Sequence, residues 1–93
     1  MSSPVYNKLV FRGYMIYILY MGGVTRKFPY RTYEEIQDLT KSKDNFPSPA
    51  ETCMLIANSE RFLGFMCAPH HVEDLEGNTL WVNEDVANVE NAS

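Results

Sequence analysis

The chain has 93 residues, of which 45% are hydrophobic and 22% charged, with a formal net charge of −4 at pH 7. That length holds one domain and leaves little material for a deep substrate cleft, and the composition excludes a disordered chain. Two cysteines, Cys53 and Cys67, are too few for a disulfide scaffold and read as reduced thiols of a cytoplasmic protein.

The longest uncharged apolar stretch, residues 14–24, is well short of the roughly 20 residues that span a bilayer, so no membrane partner is expected. Thr25-Arg26-Lys27 follows it, where a signal peptide would carry small residues. The charge is unevenly spread. Residues 1–33 contain Lys8, Arg12, Arg26, Lys27 and Arg31 and no acid, whereas residues 34–93 hold all twelve acids and only three bases. Such polarity marks either an electrostatic interaction surface or two internally cancelling fields.

In chain order, residues 5–11 form a candidate strand and Arg12-Gly13 a turn or bulge. Residues 14–21, all Tyr, Met, Ile or Leu, predict a second strand. Gly22-Gly23 reads as a two-residue hairpin loop, because both central positions of a type I′ turn need positive φ. Residues 24–30 return. This loop pairs Met21 with Val24 and places Met15, Tyr17, Leu19, Met21, Val24, Phe28 and Tyr30 on one face, the expected core. The opposite face, Tyr14, Ile16, Ile18 and Tyr20, is too apolar for water and becomes the expected self-association or docking face of a homodimer.

Thr32-Tyr33-Glu34-Glu35 is a capping box that opens a helix to about residue 41. Ser48-Pro49-Ala50-Glu51 opens a second helix, with proline at the first helical position. Its buried stripe is predicted as Ala50, Cys53, Met54 and Ala57, widened by Leu55 and Ile56, with an end near Asn58. Residues 62–67 read as a short buried strand, and Ala68-Pro69 as its break. A weak strand at 71–75, a turn at Glu76-Gly77-Asn78 and a better strand at 79–83 complete the series.

The expected fold is therefore α+β: an antiparallel sheet, built from an N-terminal hairpin or meander and a C-terminal hairpin, packed on one face by two helices. Residues 1–83 form the domain and 84–93 a polar acidic tail.

No catalytic, cofactor or metal signature emerges. His70 and His71 are adjacent, and in a regular strand they would point to opposite faces. No Cys-x-x-Cys or His-x-x-x-His spacing accompanies them. Cys67, three residues before His70, lacks an orienting third group. Gly13, Gly22 and Gly23 fit no phosphate-cradling spacing. Arg12-Gly13-Tyr14 and the alternating tyrosines do offer stackable rings with bases at the edge, the combination used for single-stranded nucleic acid. Against that, Met15 stands where the strand of an RNA-recognition motif has a small residue, and Ile16 where it has a ring.

The expectation is a non-enzymatic protein-interaction module with a protein partner. In its sharpest form it is a small acidic inhibitor or regulator of a nucleic-acid-handling protein, of the virus-encoded counter-defence type that acts against restriction or CRISPR. Glu73, Asp74, Glu76, Glu84 and Asp85 would imitate a row of phosphates in a basic channel. RNA or single-stranded DNA binding through the tyrosine-rich sheet, and a subunit role in a larger assembly, are the alternatives.

Overall fold

The computed structural model describes residues 11–40 and 47–86. Most of the candidate strand at 5–11, and positions 87–93 of the expected tail, lie outside the described residues. Strands β1 (Tyr14–Tyr20) and β2 (Val24–Tyr30) lead into helices α1 (Tyr33–Thr40) and α2 (Pro49–Phe62), and then into β3 (Cys67–Glu73) and β4 (Thr79–Val82). The four strands form one antiparallel sheet in the order β2-β1-β3-β4. Ile36 of α1 and Cys53, Ile56 and Ala57 of α2 join the core cluster with Ile16, Ile18 and Val72, so both helices lie on one face. This is the α+β arrangement the sequence predicts.

The hairpin register differs from expectation. Tyr20 pairs with Val24, Ile18 with Arg26, Ile16 with Phe28 and Tyr14 with Tyr30. The loop is therefore three residues, Met21-Gly22-Gly23, with φ of 99° and 86° at its two glycines and Gly23 N–H donating to the Tyr20 carbonyl at 3.1 Å. Because side chains alternate strictly along a strand, a one-residue slip exchanges the faces.

Tyr14, Ile16, Ile18 and Tyr20 consequently form the core face beneath the helices and are buried within this one chain. They are not an open self-association or docking face. Two features favour this solution. It brings the rings of Phe28 and Tyr30 to the same side as the two isoleucines. It also places the tyrosines at the ends of the stripe, where their hydroxyls find partners. Tyr14 donates to the Pro47 carbonyl at 3.0 Å, and Tyr20 donates to the Glu60 carboxylate.

Both helix starts follow the predicted chemistry. Thr32 N–H donates to Glu35 Oε1 at 3.1 Å while Glu35 N–H donates to Thr32 Oγ1 at 3.2 Å, a closed capping box. Ser48 caps α2 by accepting from Glu51 N–H at 3.2 Å, with Pro49 next. The buried face of α2 is Pro49, Thr52, Cys53, Ile56 and Ala57. Met54 and Leu55, predicted to be inside, are exposed. The small side chains of Cys53 and Ala57, one turn apart, let the helix lie close to the sheet. Both thiols then reach carbonyls, Cys53 Sγ donating to Tyr17 O at 3.7 Å and Cys67 Sγ to Ala57 O at 3.6 Å.

The largest local departure is at residues 62–67, expected as a buried strand. Helix α2 continues to Phe62, and Gly64, at φ 104°, ends it by turning the chain through the left-handed region. Strand β3 begins only at Cys67 and carries Pro69 within it. Proline is tolerated there because the β1–β3 register shifts between Tyr17 and Ile18. His71 pairs with Tyr17 and Pro69 with Ile18, leaving His70 as the extra residue of a bulge.

Candidate docking surfaces

The sheet face away from the helices carries Met15, Tyr17 and Leu19 of β1, which share it with their partners Glu73, His71 and Ala68 of β3. The bulge alters the expected divergence of the two histidines. His70 Nδ1 lies 2.8 Å from His71 Nδ1, His71 Nε2 lies 2.9 Å from Glu73 Oε2, and Tyr17 donates to Glu73 Oε1 at 3.2 Å. The Tyr17 and His71 rings stack at 4.1 Å with 9° between their planes. A hydrogen bond between two Nδ1 atoms needs one proton, so the two rings cannot both be imidazolium and keep it. Sequence reasoning could not anticipate this cluster, because it depends on the bulge. Among the described residues, no group of three His, Cys, Asp or Glu side chains is arranged to hold a metal ion.

Cys67 pairs with Tyr20 on the helix side of the sheet, away from that cluster. Burial pushes its thiol pKa up, and burial raises that of Cys53 to about 11. Both shifts keep sulfur in its protonated, weakly nucleophilic form near neutrality.

The predicted acidic contact residues occupy separate places. Glu73 is engaged with His71 and Tyr17. Asp74 organises the β3–β4 turn, accepting from Glu76 N–H at 2.9 Å and Asn78 N–H at 2.8 Å and, through its other oxygen, from Asn78 Nδ2 at 2.9 Å. These hydrogen bonds hold its carboxyl below the usual range. Glu76 is exposed at this turn, and Glu84 and Asp85 are exposed after β4. Asn83 N–H bonds to the His70 carbonyl whereas Thr79 lies opposite Glu73. The length of β4, roughly 13 Å at ~3.3 Å per residue, therefore separates Glu76 from Glu84 and Asp85. The tyrosines expected to stack on bases are divided too. Tyr14 and Tyr20 are in the core, and Tyr17 alone of β1's three rings faces outward.

The feature that the sequence reading missed lies at the other end of the sheet. Phe62 is 92% exposed, Met21 76%, Leu63 69% and Met66 67%, with Val24 and Phe65 also exposed beside them. Met21 N–H donates to the Met66 carbonyl at 2.9 Å, joining the hairpin loop to the α2–β3 loop. The Phe65 ring packs edge-on against Tyr20 at 6.1 Å. Between the loops, Leu19, Tyr20, Met21, Met66, Cys67 and Ala68 line a shallow apolar depression of about 260 Å³. Arg26, whose guanidinium sits 5.5 Å from the Tyr20 ring centroid, contributes a base near this end. The legible signal was Phe62-Leu63-Gly64-Phe65-Met66 itself. Four apolar residues around a glycine suit the end of a helix as well as a strand.

Tyr20 links this end to the core and makes it sensitive to alkali. Burial, aided by the hydrogen bond to Glu60, raises its phenol from 10.0 to about 12. Folding thus favours the neutral ring. That contribution is complete below pH 10 and disappears as the pH rises toward 12. Urea midpoints should fall more steeply over this interval for the native chain than for Tyr20→Phe. Some slope will persist in the variant, since Tyr17 and Tyr30 are shifted the same way. Equal slopes would remove Tyr20 from the account.

Among the described residues, no helix is long and apolar enough to cross a membrane. No protein-family model, curated protein or solved structure matches the chain, so its functional reading rests on the geometry of these surfaces.

Proposed function

We propose that this protein is a non-enzymatic protein-interaction module that docks through the apolar end of its sheet. One observation carries the reading: six large apolar side chains stand exposed on two loops tied by the Met21–Met66 backbone hydrogen bond and on the flanking end of α2 and start of β2. Monomeric proteins rarely leave large contiguous apolar patches in water, and such patches mark interaction sites. Exposure this high also means that the residues contribute little to the chain's own core. Immobilised native chain and Phe62→Glu chain, exposed to the same protein mixture with free copies of the chain included, provide the test. The variant should keep its circular dichroism spectrum and lose the protein that the native chain retains. Equal retention by both would reject docking through this end.

The narrower reading, an acidic inhibitor or regulator of a nucleic-acid-handling protein, is supported by Glu76, Glu84 and Asp85, which are exposed. Glu73 and Asp74 have internal partners. Reversing the three exposed charges to lysine should therefore weaken binding of such a partner far more than replacing Glu73 with glutamine, and rising salt should weaken it as well. Binding indifferent to salt and to the three reversals would set this version aside and leave the apolar docking untouched.

A further inference from the structure

We infer that the occupant of the apolar end is a second copy of this chain, docked end to end about a two-fold axis. The inference rests on the proposed docking reading and adds the identity of the partner.

Met21, Val24, Phe62, Leu63, Phe65 and Met66 together expose on the order of 700 Å², close to the ~800 Å² per partner that a standard stable interface covers. A symmetric dimer requires one surface to complement itself. This end carries both a projecting ring, Phe62, and an apolar depression of about 260 Å³ lined by Leu19, Tyr20, Met21, Met66, Cys67 and Ala68. A two-fold axis between the two features sets each protomer's Phe62 into its partner's depression. Among the described residues, the edges of the sheet offer no comparable alternative. Strand β2 carries Arg26, Lys27 and Pro29, and β4 has only four residues, both features that discourage edge-to-edge pairing.

Amide groups buried without partners are expensive. Here five of the loop amides are already paired: Met21 to Met66 O, Gly23 to Tyr20 O, Leu63 to Ser59 O, Gly64 to Arg61 O and Phe65 to Glu60 O, all between 2.9 and 3.1 Å. The loops are held in place before contact, which lowers the ordering cost of association. No charged residue falls within 62–66 or within 19–25. Arg26 and Arg61, exposed near the end, would face their own counterparts across the axis, and each whole chain carries −4. Added salt screens both repulsions, so this dimer should tighten as salt rises, opposite to an acidic surface seated on a basic partner.

Sedimentation equilibrium on the full chain, from low to high micromolar concentration, tests the inference. The native protein should pass reversibly from 10.7 kDa to twice that mass, more readily at higher salt. Phe62→Glu and Met66→Glu should each weaken the dimer at least ~30-fold, the level of an interface hot spot, with unchanged circular dichroism. A native chain that stays monomeric, dimers that persist in both variants, or open-ended assembly in place of a closed dimer would each overturn it. A monomeric chain whose capture of a different protein still depends on Phe62 would refute only the second copy. A monomeric chain whose Phe62→Glu variant captures everything the native chain does would refute the docking reading as well.

Discussion

Ile18→Ala should destabilise the protein by about 2–5 kcal/mol, whereas Leu19→Ala, one residue along the same strand, should cost only about 1 kcal/mol. Ile18 is completely buried between the sheet and the helices, and Leu19 is half-buried on the open face. Shortening Ile18 removes apolar atoms from a core that it shares with Ile16, Ile36 and Val72, themselves fully enclosed. A cavity is left that close-packed surroundings fill only in part. A protein of this size has only about 5–15 kcal/mol of total stability, so the first variant should lose a large share of it. Guanidinium unfolding of the two variants, compared at equal slope, reads the difference directly. Equal costs, or a larger cost at Leu19, would mean that the hairpin has the two-residue register with the opposite face inside.

Gly13→Ala is the second large effect, at about 2–4 kcal/mol. Gly13 has φ of 99°, and a Cβ built there would sit 2.6 Å from both Cγ and Cδ1 of Leu75. Gly22 supplies an internal control, since it has the same φ of 99° and open space where its Cβ would stand. Backbone strain is thus common to both substitutions, about 1–2 kcal/mol for a left-handed alanine. The excess at Gly13 measures the contact with Leu75 across the start of β1 and the β3–β4 turn. Combining Gly13→Ala with Leu75→Ala should recover most of that excess while leaving the strain. No excess over Gly22→Ala would show that Leu75 swings aside freely and that the close approach has no structural weight.

Elements whose identity depends on near neighbours in sequence were legible. The capping box at Thr32, the N-cap at Ser48, the hairpin at Gly22-Gly23, the span of β2 and the turn at Glu76-Gly77-Asn78 each follow from chemistry contained within a few residues. Two antiparallel hairpins enclosing two helices then dictated the α+β class.

What the tertiary structure alone decided is which side of β1 faces inward, and the loss of the expected Tyr14 to Tyr20 docking face follows from that. Residues 14–21 are apolar at every position, so periodicity gives no preference between Tyr14, Ile16, Ile18, Tyr20 and Met15, Tyr17, Leu19, Met21. One extra loop residue, Met21, reverses the pairing of the faces, and whether it joins the loop depends on how Phe28, Tyr30 and the small-residue stripe of α2 pack over the strand. The same limit applies at Phe62-Leu63-Gly64-Phe65-Met66, where the helix end at Gly64 turns an apparent core strand into a projecting apolar end. Local sequence specifies φ, caps and turns because those interactions span a few bonds. Burial is settled by atoms brought together from distant parts of the chain.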